Sequence, residues 1–596
     1  MDQRVTRYIG IVVIAVLFAG GMMFLNEDTD VTGKPKLDRQ LENIEAFGRL
    51  YGAVRYFHPS DEAAEIDWTR FAVYGVGKVK NARNEKKLKE ELVELFLPIA
   101  PTLVIYKKDE EPEHPMVEKT MQVLAWQHYG PPGLDTTYFS SKRVSGLVSD
   151  DKIMTGDNKL FDDFPAIHKK INRQLSEGLR YSLPVVLYQK NGQTIGSTTK
   201  SRQGFKKLKD ELLEMDSNMT TADENVRLAG VIVTWNQLSY FHPHIGRPAG
   251  NLDDLGKSIK NAFDDETRED YFATLTEMME WTDDGHAMSS FNKFRIVGSR
   301  IPLEFDIVEG KLTITAVGDA IKAKRGDIVE RIYGQDALGF IKEGAANIPG
   351  SPQFKLLMAI DYLLFQDQLK LTINRDGTLH NVDLTPGYGG FVDEYGHKEF
   401  QELEPGVFYI DLSRNVFQDI QDNMDELSKA KGIVFDMRGG IFTKEKVKEL
   451  FGHLTQKPVQ GAQWAVRQTT VPGENMATFD GGHDTLQSLE PFFSGKIVFL
   501  ASRKTYGASE QLLSFVKSNK LGEIVGMSTA GIPGDPQVFP IPGSIQGIMT
   551  GVEVSLSDGT PIYGVGIKED FTVIRTFDGV KAGRDEYLLL ALGLIQ

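Results

Sequence analysis

Residues 400–596 interleave short apolar runs with amphipathic stretches, and this pattern constrains the fold more than any other feature of the chain. "GVFYIDL", "GIVFDMRGG", "GKIVFLAS" and "GEIVGMS" read as strands, "NMDELSKA" and "ASEQLLSFVKS" as helices, and a glycine-rich segment finishes the chain. Strands alternating with helices predict a sheet with crossover helices. Within it, "VFLASRKTYGASEQLLSFVK" reads as a buried strand, a tight turn and a helix. A helix N-terminus offers unpaired N–H groups and the positive end of the macrodipole, which suits the oxyanion of an acyl-transfer intermediate. The residue at that turn is Gly507.

With 596 residues the chain is too long for one core, and about 150 residues per domain predicts about four domains. Residues 36–99 read as a helical module and 100–205 as a β-rich insert of strands such as "MQVLAWQHYG". Residues 225–295 form a second helical module. "YGAVRYFHP" (51–59) is echoed by "WNQLSYFHP" (235–243), and "KNA" recurs at 80–82 and 260–262, which reads as a duplication. From 300 to 385, "IPLEFDIVEGKLTITAV" and "LKLTINRDGTLHNVDL" predict a small β domain around a Gly-Asp turn.

A net charge of −16 argues against a nucleic-acid surface, because phosphate binding needs a basic footprint. Residues 1–30 carry Arg4 and Arg7, then "YIGIVVIAVLFAGGMMFL", then the acidic "NEDTD". Basic flank, apolar stretch and acidic exit predict a membrane anchor or signal peptide with the body exported to the cell envelope. The chain has no cysteine, which excludes disulfides and thiolate chemistry.

Three stretches together carry a resemblance: "GIVFDMRGG", "TYGASEQLLSFVK" with "EIVGMSTAG", and "SDGTPIYGVGIKEDFTV". They resemble the core of the C-terminal-processing (tail-specific) serine peptidase family, which is related to tricorn-type peptidases and retinoid-binding modules. "KRGDIVERIYGQ" is similar to the family's PDZ-like domain, and "DDGHA" to the D-G-H closing its helical N-terminal domain. The resemblance implies an α/β fold with a ClpP/crotonase-like peptidase core, a PDZ-like β domain and N-terminal helical modules. It also implies a polypeptide substrate or peptide ligand and no cofactor.

The resemblance places the serine nucleophile of T-x-S-x-x-E at Gly507, with Thr505 and Glu510 in register. Gly439, Gly440 and Ala508 would supply oxyanion N–H groups. The lysine used by the processing branch falls at Ile532, and the glutamate used by the tricorn branch at Tyr563, while the D-G-H histidine is kept as His286. Without a hydroxyl at 507 there is no acyl-enzyme by the usual route. Ser509 is the low-ranked substitute, because two positions along a helix turn a side chain by about 200°. The readings left open are a serine peptidase, a pseudopeptidase that binds exposed peptides by strand addition, and a binder of small hydrophobic ligands. His58 and His242, one in each YFHP, lack a partner at helical spacing and read as packed helix ends rather than metal ligands, with His244 adjacent to the second.

Overall fold

The computed structural model describes residues 35–596 except 132–138, 150–151, 217, 245–254, 290–299, 319–320, 347, 388–391 and 473–477. The apolar stretch expected to anchor the chain lies outside the described residues. Among the described residues no helix is long and apolar enough to cross a membrane.

The C-terminal core is built on a six-stranded sheet, ordered Phe400–Glu404, Val407–Asp411, Gly432–Asp436, Lys496–Ala501, Glu523–Gly526, Phe571–Thr572. The first pair is antiparallel and the rest are parallel. Asp436 lies opposite Leu500, so the glycine turn after one strand and the 502–507 turn after the next leave the sheet side by side at its carboxyl edge. In open α/β sheets that crevice is where ligands bind. The helix Ala508–Asn519 then packs Leu512, Leu513, Phe515 and Val516 into the core.

The two YFHP helices, Lys36–Phe57 and Glu224–Phe241, lie side by side and parallel. Gly48 faces Ile232, Gly52 faces Asn236, and Tyr56 meets Tyr240 and Phe241, each pair one turn further on. Both motifs therefore reach the same end of the bundle. There His58 Nε2 meets Thr102 Oγ1 at 2.8 Å, while His242 Nε2 meets Asp284 Oδ2 at 3.2 Å. The β-rich insert holds the first of these ends: Trp126 Nε1 donates to the His58 carbonyl and His128 Nε2 bonds the Tyr56 carbonyl.

Residues 303–384 form an antiparallel sheet, as expected, but also two helices, Ala337–Ala346 and Pro352–Leu364, that the reading as a small β domain omitted. The second starts with Ser351 as N-cap, its hydroxyl accepting from the Phe354 N–H, and with Pro352 in the first turn, an N-terminal signal legible in "GSPQF".

Candidate active site

The seat is made by the turn that precedes the helix Ala508–Asn519. Ser502 and Thr505 close it: the Thr505 N–H donates to the Ser502 carbonyl, and the Thr505 hydroxyl donates to the Met437 carbonyl at 2.9 Å. That second bond ties the seat to the neighbouring glycine turn. Gly507 caps the helix at φ +62°, ψ −122°, outside the conformations an ordinary N-cap serine adopts, and among the described residues no heavy atom beyond its own chain neighbours lies within 4 Å of where its Cβ would stand. The backbone thus aims position 507 at open space and supplies no side chain.

Glu510, one turn on, holds the opposite wall. It is fully buried and accepts from the Thr529 hydroxyl, the Gly531 N–H at 2.7 Å and the Ile532 N–H at 3.0 Å. Burial pushes its carboxyl up to about 7, against the pull of those donors. Ile532, standing where a lysine was sought, is buried and apolar. Its side chain fills the space over Gly285: a Cβ there would fall 2.1 Å from Ile532 Cγ2. So Ile532 lies between the Glu510 wall of the seat and the D-G-H segment that carries His286.

His286 Nδ1 lies 2.8 Å from Thr550 Oγ1, and that hydroxyl lies 2.7 Å from Asp284 Oδ1. Asp284 also accepts from the His286 N–H, the Thr550 N–H and His242 Nε2. Burial opposes its charge, yet the bonds from His242 and His286 hold the Asp284 carboxyl well below the usual range. Tyr563, at the glutamate position, donates its hydroxyl to the Thr282 carbonyl at 3.0 Å, and its ring stacks on His244 with centroids 3.8 Å apart. It therefore does not take the part of a carboxylate.

Of the expected oxyanion donors, Gly440 is corrected: its N–H closes a turn on the Met437 carbonyl at 3.1 Å, which leaves Gly439 and Ala508. Arg438 beside them is clamped by Asp436 and by Asp585 at 2.8 Å, so "DMRGG" is also a braced strand end. Ser509 is 2 % exposed and turned into the core. His58 sits between Ser60 and Thr102, and burial, helped by Arg143, lowers it to about 3. Among the described residues no group of three acidic or histidine side chains is placed to hold a metal ion.

Sequence reasoning passed over Asp284 and Thr550, and read His242 only as a packed helix end. Asp284 stands inside the quoted "DDGHA", but its partners are 42 and 266 residues away, beyond any local spacing.

No curated protein matches the chain. Among solved structures, mature CPAF complexed with lactacystin superposes with a TM-score of 0.51 at 12% identity, over 62% of this chain and 98% of that one. A photosystem II D1 C-terminal processing protease matches 60% of this chain and 97% of its own, at 16% identity and a TM-score of 0.38. The CPAF likeness is one of fold. Residues 400–573, the stretch that holds both turns of the seat and the glutamate position, match the family model described as Peptidase family S41.

Proposed function

We propose that this protein uses an S41 peptidase cleft to capture exposed polypeptide segments in the cell envelope, with hydrolysis weak or absent. The observation that carries the reading is Gly507: the helix Ala508–Asn519 begins there, with Glu510 buried one turn on, and the position carries no nucleophilic side chain. Peptide would enter by strand addition and lie across the Gly439 and Ala508 N–H groups. Residues 1–30 would hold the protein at the membrane with its body outside.

A fluorophosphonate probe labels only an activated serine. The wild type is expected to stay unlabelled and to leave casein intact, while binding fluorescent unfolded peptides in an anisotropy titration. Gly507→Ser is expected to gain at most slow cleavage, lost again when His286→Ala is added, because nucleophile and base act as a unit. Stoichiometric wild-type labelling with cleavage abolished by Ser509→Ala would sink the proposal.

A further inference from the structure

Hydrogen-bond directions around Asp284 are over-determined, and they fix the protons on both histidines. Asp284 is fully buried and accepts from His242 Nε2, the His286 N–H, the Thr550 N–H and the Thr550 hydroxyl. A carboxylate so surrounded has no proton to give. Thr550 Oγ1, 2.7 Å from Asp284 Oδ1, must therefore direct its one proton at the carboxylate. The same oxygen lies 2.8 Å from His286 Nδ1 and, its proton committed, can only accept. His286 Nδ1 then carries hydrogen. The direct distance from that nitrogen to Asp284 Oδ1 is 3.6 Å, too long for a hydrogen bond, so the coupling runs through the hydroxyl.

His242 is fixed the other way. Its Nε2 donates to Asp284 at 3.2 Å, and its Nδ1 accepts the His244 N–H at 3.3 Å. One carboxylate thus orders two imidazoles in opposite tautomers, one directly and one through threonine.

We infer that Thr550 is a positioning residue: its hydroxyl, clamped by Asp284, keeps a hydrogen on His286 Nδ1 and so selects the Nδ1–H tautomer, in which the ring gains or gives a proton at Nε2. That is the form a general base needs, and an orienting partner on the far nitrogen is what selects it. The carboxylate acts from the histidine's own D-G-H segment, while Tyr563 engages the Thr282 carbonyl and His244 instead. The catalytic consequence rests on the proposed reading of His286 as the base; the tautomer does not.

The test reads the tautomer directly. With 15N-histidine in the full-length chain, two-bond nitrogen–proton correlation spectra distinguish the two forms, and His286→Gln assigns the signal. The Nδ1–H pattern is expected for His286 in the wild type and in Thr550→Ser, and a shift towards Nε2–H in Thr550→Val, with His242 unchanged. An Nε2–H pattern for wild-type His286 overturns the inference even if Thr550→Val fails to fold, and so does an unaltered Nδ1–H pattern in a folded Thr550→Val. In a Gly507→Ser background Thr550→Val is expected to lower kcat about tenfold or more, with KM changed less than about twofold. A wild type that shows the Nδ1–H pattern yet binds no peptide supports the positioning role and counts against the proposed function.

Discussion

Glu510 ties the helix Ala508–Asn519 to the Thr529–Ile532 loop through three donors, beside the Ala530 N–H that donates to the Thr505 carbonyl of the seat turn. Its folded value of about 7 lies above its ordinary value of 4.5. The folded state therefore holds the proton more tightly than the unfolded chain. The stability this contributes is complete below pH 4.5 and is lost as pH rises through about 7, on the order of 3 kcal/mol in all. Urea midpoints measured between pH 4.5 and 8 are expected to fall with pH in the wild type and to lose that part of the slope in Glu510→Gln. Matching slopes in the two proteins would place the titrating group elsewhere. The glutamate's register in T-x-S-x-x-E is readable from sequence; that it is fully buried, and so titrates near neutrality, is a property of the packing around it.

At the scale of elements, the two YFHP helices explain why small residues recur in the first of them. A Cβ on Gly52 would stand 1.7 Å from Asn236 Oδ1 and 2.8 Å from Tyr240 Cε2. Asn236 in turn donates to the carbonyls of Gly48 at 3.0 Å and Ile232 at 2.9 Å, so it cannot move without leaving buried polar groups unpaired. Gly52→Ala is expected to cost about 2–4 kcal/mol in chemical denaturation, from overpacking plus the disturbed asparagine. Gly77, in the helix Trp68–Val79, has its nearest foreign atom 3.5 Å from the ideal Cβ. Gly77→Ala is expected to stabilise by about 0.5–1 kcal/mol, the helix-propensity difference. A neutral Gly52→Ala would show that the helices do not approach this closely. The repeat itself is legible in "YGAVRYFHP" and "WNQLSYFHP"; the parallel seating is not, because it is set by which surfaces meet.

Across the whole molecule, the unit of residues 303–384 is bolted to the core beside the seat. Asp306, on the strand Leu303–Val308, pairs with Arg503 of the seat turn and with Arg575 at 2.9 Å, and Arg575 also pairs with Glu394. Lys504 reaches Glu304 on the same strand at 2.8 Å. From the other side, Gln353 donates to the Thr529 and Val565 carbonyls at 2.7 and 2.6 Å. Arg503 and Arg575 side chains are only 9% and 8% exposed, so removing their shared carboxylate leaves charge buried. Asp306→Ala is expected to destabilise by about 3–5 kcal/mol and to split denaturation into separate transitions for the two units. A single unshifted transition would mean the network carries no coupling.

By itself the sequence determined the local periods, the order of the motifs and the absence of a hydroxyl at 507. Strand and helix follow from spacing within about ten residues, and a missing side chain is visible without coordinates. Tertiary structure alone decided which groups meet. Asp284 gains His242 and Thr550 from 42 and 266 residues away, the Gly440 N–H is taken by a turn, and Gly507 keeps φ +62° with open space before it. A hydrogen bond depends on distance, direction and burial at once, and for partners so far apart in sequence those are properties of the folded chain rather than of any segment of it.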